Sequence, residues 1–170
     1  MRIPPTTALA YFMLLLLTAG CLGAPVEEEP PEVNLPPYIS PDFVHPEREV
    51  LWIESNDSVA LAVETLLDPN GEERLFFAVI GERSGLIEQA TAAPQPAGGL
   101  YRDAFYKFDG VEITVDPCAE RLRGHSDELI RLFVSDRPFA RVTEAEVEVD
   151  DDGYITTHRW LLRFNDQICP

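Results

Sequence analysis

The sequence predicts an all-β fold, an antiparallel two-sheet sandwich, and three observations carry that reading. From Glu49 onward apolar residues recur at every second position, the period of a strand with one buried face. The alternating runs are short and separated by clusters of Asp, Asn, Gly, Pro and Ser, residues that supply turn geometry. About seven such runs follow one another without an internal repeat, which fits one sandwich rather than an array.

The elements follow in order. "EVLWIE" (49–54) and "SVALAVETLL" (58–67) flank the turn-forming "SND", and strand geometry places Val59, Leu61, Val63 and Leu67 on one face. Asp68-Pro69-Asn70-Gly71 combines the fixed φ of proline with the positive-φ tolerance of Asn and Gly. "RLFFAVIG" (74–81) closes a first hairpin, and its unbroken apolar run Leu75 to Ile80 predicts a strand covered on both faces. "GLIEQA" (85–90) reads as a short edge strand and "TAAPQPAGG" (91–99) as a loop. Segment 100–110 is ambiguous between a helical turn and an irregular strand, and "VEITV" (111–115) alternates again. "DELIRLFVSD" (127–136) is a strong strand with Ile130, Leu132 and Val134 on one face. "EAEVEVD" (144–150) and "THRWLLRF" (157–164) flank Asp151-Asp152-Gly153 and predict a second hairpin. In its last strand Trp160, Leu162 and Phe164 point one way, Arg159 and Arg163 the other.

Ahead of these strands, residues 1–20 read as a signal peptide: Arg2, then an apolar core from Ala8 to Leu17 of about ten residues, half of what a bilayer span needs. Residues 21–48 hold seven prolines after Cys21 and the run Glu27-Glu28-Glu29, which neither helix nor central strand tolerates. They predict an extended tether, with Tyr38, Ile39, Phe43 and Val44 apolar enough to lie along the domain or form an edge strand. The domain proper is expected at 49–170.

Leu17-Thr18-Ala19-Gly20-Cys21 resembles the lipobox of bacterial lipoproteins, with Leu17 one place earlier than the usual leucine. The resemblance implies cleavage before Cys21, acylation of Cys21 including a palmitate-like chain, and attachment to a membrane without a spanning segment. Leu22, rather than Asp, after the cysteine implies sorting to the outer membrane, on its periplasmic or surface side. Two or three acyl chains satisfy the physical condition for stable anchoring. With Cys21 acylated, Cys118 and Cys169 remain to form a disulfide bond in an oxidising compartment. Two unpaired buried thiols are the alternative.

"VETLLDPNGEERLFFAVIG" resembles bacterial Ig-like and cadherin-like extracellular domains, with Phe77 at the aromatic position and Val79 where Trp is common. The likeness spans one hairpin and implies an Ig-like sandwich.

Thirteen basic and thirty acidic side chains give a net charge of −17, which argues against nucleic acid or an anionic lipid surface as a partner. The chemistry-bearing residues do not converge. His45, His125 and His158 lie far apart, without metal-ligand spacing, and there is no Gly-x-Ser-x-Gly or phosphate-binding loop. The tetrapeptide His125-Ser126-Asp127-Glu128 is suggestive, but a triad is assembled from distant positions. A hydrolase is the least favoured alternative, and no catalytic residue, metal ligand or cofactor is expected. Asp68, Asn70 and Glu72 with Asp150 to Asp152 supply the oxygens of a Ca²⁺ site only if both turns meet at one end of the sandwich. Solvated hairpin turns are the simpler reading. Arg131, Arg159 and Arg163, interleaved with Phe133 and Leu161, form an outward strip that suits either a protein interface or a covering layer such as 100–110. The expected role is a lipid-anchored, non-catalytic module for protein binding or envelope assembly.

Overall fold

The computed structural model describes residues 33–71, 74–95, 100–102, 104–150, 152–165 and 169. Cys21 and the lipobox lie outside these residues. The compact unit runs from Asn34 to the C-terminus, and among the described residues it contains strands and two short 3-10 turns but no α-helix.

The strands are β1 (Val44–His45), β2 (Val50–Ile53), β3 (Val59–Asp68), β4 (Leu75–Gly81), β5 (Gly85–Ala92), β6 (Tyr106–Val115), β7 (Asp127–Ser135), β8 (Phe139–Val142), β9 (Val147–Val149) and β10 (Ile155–Phe164). One sheet has the order β1-β3-β6, the other β2-β10-β7-β4-β5, and among the described residues β8 and β9 pair only with each other. Leu61, Val63, Phe108, Val111 and Ile113 from the first sheet meet Phe77, Val79, Ile130, Leu132, Trp160 and Leu162 from the second in a single apolar cluster. The protein is therefore an all-β sandwich. Full burial of each such aliphatic or aromatic side chain contributes about 1.5–3 kcal/mol.

The sheets are not wholly antiparallel, because β2 runs parallel to β10. The chain has just left the first sheet, where β1 pairs with β3, and crosses at a cis peptide between His45 and Pro46. The indole N–H of Trp160 donates to the Pro46 carbonyl at 3.4 Å, tying that crossing to the core. A second crossing follows β5: Asp109 N donates to Ala93 O and Gln95 N to Lys107 O, so residues 93–95 leave the second sheet and line the edge of β6.

Several sequence expectations change. The compact unit takes in the chain from Asn34 onward. Tyr38 and Leu67 exchange backbone hydrogen bonds at 2.8 and 3.2 Å, and Val44 and Ile39 are buried, so proline-rich residues 34–48 form a strap on the sandwich. Strand β5 extends to Ala92, two residues into the expected loop, because Ala92 is a core residue. The ambiguous segment resolves into a turn closed by a Tyr101–Phe105 bridge and then β6. Neither expected hairpin forms: β3 and β4 flank the Asp68–Gly71 turn but belong to different sheets, β3 pairing with β6 and β4 with β5 and β7, while β9 folds back on β8 and β10 pairs with β7 and β2. Trp160, Leu162 and Phe164 give the second half of β10 an apolar inner face, which the main core buries.

Leu67 does not share the face of Leu61 and Val63. The core positions change parity from Leu61 and Val63 to Leu66 in β3, and from Val111 to Phe108 in β6. The changeover lies at Glu64 and Gly110, where the two strands press together, and it leaves Leu67 buried on the other face, beside the backbone-paired Tyr38.

Candidate functional site

The outward strip read from the sequence is assembled by the β7–β10 ladder. Register pairs Phe133 with Thr157, Arg131 with Arg159, Leu129 with Leu161 and Asp127 with Arg163. All face away from the core, because their neighbours Ile130, Leu132, Trp160 and Leu162 face into it. The two halves of this face differ, one covered and one open.

The half towards β4 and β5 is covered, and by the β8–β9 hairpin rather than by segment 100–110. Arg131 Nη2 donates to Glu144 O at 2.8 Å, and the Glu144 carboxylate fills the space a side chain at Gly85 would need. Glu144 thus reaches the two strands on either side of β4, and beneath it Ala78 and Ile80 are fully buried although they point outward. The expectation that Leu75 to Ile80 is covered on both faces is met this way. The Arg131 guanidinium also lies 5.5 Å from the Phe133 ring centre.

The half towards β2 is open. A groove of about 270 Å³ has Val50, Leu129 and Leu161 on its floor and Glu49, Glu82, Asp127 and Arg159 around its rim. Arg159 stands 3.8 Å from Glu49, an exposed pair that contributes little to stability. Next to the groove Trp52 is 69% exposed, with the Arg163 guanidinium 5.5 Å from its ring centre. Trp52 sits in "EVLWIE", which alternation identifies as a strand; its exposure follows from the position of β2 at the end of the sheet, which alternation does not encode.

The residues of the His125–Glu128 tetrapeptide are separated by the fold. Glu128 is a buried inner residue of β7 whose carboxylate accepts from Arg83 N at 3.2 Å and Ser84 N at 3.1 Å, closing the β4–β5 turn. Asp127 pairs outside with Arg83 at 2.9 Å, and His125 is exposed in the preceding loop. Both carboxylates serve a turn, so neither is placed to activate a serine or histidine.

The acidic turns do lie at one end, linked by the strap. Asp68 Oδ2 accepts from Asn70 N and Gly71 N at 2.8 Å, and Asn70 Oδ1 accepts from Leu35 N. Asn34 Nδ2 donates to Asp136 Oδ2 at 2.6 Å and to Asp152 O at 3.3 Å, while Tyr154 N donates to Asp136 Oδ1. Asp68 Oδ2, Asn70 Oδ1 and both Asp136 carboxylate oxygens are thus aimed at N–H donors, while Glu72 and Asp151 lie outside the described residues. No group of three or more His, Cys, Asp or Glu is placed to hold a metal among the described residues.

Cys118 and Cys169 form the disulfide, with Cα atoms 5.3 Å apart. It ties the β6–β7 connection, whose Leu122 is in the core, to the end of the chain.

His158 lies edge-on to Trp160 at 4.5 Å, half-buried. Desolvation holds its pKa below the ordinary 6.5, with the Glu49 carboxylate opposing. The unfolded chain therefore binds a proton before the folded one does as pH falls. Stability from this group is complete above pH 6.5 and declines as pH drops towards the lowered folded pKa. Urea unfolding is expected to show falling stability from pH 7.5 to 5, and His158→Gln is expected to flatten that slope. Asp42 does not confuse the measurement. Its carboxyl is held below the usual 3.8 by the Tyr101 hydroxyl and by Arg102, against desolvation, so its contribution is lost only in stronger acid.

No family model matches the chain, and searches of curated proteins and of solved structures give no match either.

Proposed function

We infer that the protein is a lipid-anchored envelope lipoprotein, most simply of the outer membrane, whose Ig-like sandwich binds another protein through the open half of its five-stranded sheet. The observation that carries the binding role is Trp52, exposed beside Arg163 and an apolar-floored groove. Tryptophan and arginine are enriched among the residues that carry most of the binding energy at protein interfaces. The Ig-like assignment draws support from the strand order. β3, β6 and the Pro94 bridge stand on one side, β4, β7 and β10 on the other, the division that Ig-like domains share. The acidic surface favours a protein over nucleic acid. The anchor rests on Leu17 to Cys21, and no helix among the described residues is long and apolar enough to cross a membrane.

The two halves of this reading are tested separately. Cys21→Ser is expected to move the protein from the membrane to the soluble fraction, with intact mass showing loss of the acyl groups; unchanged fractionation removes the anchor from the account. Leu161→Asp places a charge on the groove floor and is expected to abolish recovery of a discrete envelope partner while leaving the melting temperature within a few degrees. A partner retained by that variant contradicts the assigned face.

A further inference from the structure

Strand β2 ends the five-stranded sheet, so one of its edges meets no other strand among the described residues. On its inner edge Glu49 O accepts from Leu161 N at 2.6 Å and Ile53 O from Asn165 N at 3.3 Å. Backbone groups alternate sides along a strand, so Glu49, Leu51 and Ile53 address β10 while Val50 and Trp52 address the free edge. Their side chains are 43% and 69% exposed. Proteins usually blunt such an edge with lysine, proline or a bulge. Between Arg48 and Glu54 this one has none of these, and Val-Leu-Trp-Ile has high strand propensity.

The charges around this edge say what fits it. Arg48-Glu49-Val50-Leu51-Trp52-Ile53-Glu54 is self-complementary when laid antiparallel on itself about Leu51. We propose that the edge is occupied by β2 of a second copy of this chain, paired antiparallel across a two-fold axis at Leu51. In that register Val50 and the partner's Trp52 form a hydrogen-bonded pair, exchanging both N–H···O bonds, and symmetry repeats it. The two exposed apolar side chains of each copy cover those of the other. Arg48 falls opposite the partner's Glu54, again twice. Both residues are exposed, and no ion pair among the described residues engages either. Opposite charges directly across a pair of strands stabilise it, and like charges oppose it. The result is one continuous sheet through both copies, an isologous interface that closes and does not propagate. The shortness of β2 and the −17 charge on each copy keep the pairing weak, with a Kd of roughly 100 µM in solution. This pairing goes beyond the preceding reading and needs neither the lipid nor a foreign partner.

The test is sedimentation velocity over a concentration series, using the mature full chain carrying Cys21→Ser. Reversible dimerisation is expected, and Trp52→Ser is expected to abolish it. Arg48→Glu and Glu54→Arg alone should each weaken it about tenfold, since each puts two like-charge contacts across the axis. The double variant R48E/E54R should return it to within about threefold of the parent, because the pairs are re-formed with exchanged signs. These side chains are exposed, so melting temperatures should stay unchanged, separating lost pairing from lost folding. A chain that is monomeric throughout, or a dimer indifferent to Trp52 and to the charge exchange, overturns the proposal. Either result leaves the foreign-partner reading to stand or fall on Leu161→Asp.

Discussion

Gly110→Ala is expected to be the most damaging single-methyl change in the protein, lowering stability by about 3 kcal/mol or more. A Cβ at this position would lie well inside van der Waals contact of the carbonyl oxygens of Val63 and Glu64. Those are backbone atoms of the paired strand β3, so no side-chain rotamer relieves the overlap. Relief requires separating β3 from β6 at the point where both strands change which parity they bury, displacing Leu66 and Phe108 from the core. Gly124→Ala is the informative control. Its φ of +77 also disfavours alanine, but nothing lies within 4 Å of the new methyl, so a loss of only about 1 kcal/mol is expected there. Urea midpoints for the two variants measure the difference. Equal, small losses would show that the β3–β6 contact is looser than the geometry requires.

Removing the disulfide is the second large effect. Cys118 and Cys169 are 51 residues apart, and their bridge pins the end of the chain to the β6–β7 connection. Closing a loop of that length constrains the unfolded chain by about 4 kcal/mol in the loop-entropy description. Cys118→Ala with Cys169→Ala is therefore expected to cost about 4 kcal/mol, much of the stability of a typical domain. Reductant should have the same effect on the parent chain and none on the double variant. A loss below about 1 kcal/mol would mean that the reduced, unfolded chain is already compact around this loop.

The candidate site shows where reading the sequence stops. Alternation in "DELIRLFVSD" and "THRWLLRF" places Arg131, Arg159, Arg163, Phe133 and Leu161 on one outward strip, and the register of β7 with β10 agrees. Nothing local says that Arg131 lies under Glu144 while Arg159 remains at the rim of a groove, because a hairpin thirteen residues further along the chain makes that distinction. Glu128 is the same lesson inverted. In the sequence it is one of two adjacent acids after a histidine and a serine. In the fold its carboxylate is consumed by two N–H groups of a turn 44 and 45 residues away.

The sequence by itself determined the all-β class, the inner faces of β7 and β10 and a turn at Asp68-Pro69-Asn70-Gly71, though not the hairpin expected across it. It also singled out Cys118 and Cys169 as the cysteines left to pair once Cys21 is taken as acylated. All but the last are properties of a few adjacent residues, set by side-chain period and by the φ that each residue tolerates. Only the tertiary structure decided that β9 returns to β8, that β2 lies parallel to β10, that residues 34–48 strap the sandwich and that Trp52 stays in solvent. Those outcomes depend on which apolar faces compete for one core, and a strand's own pattern states that it has a face to bury without stating against what.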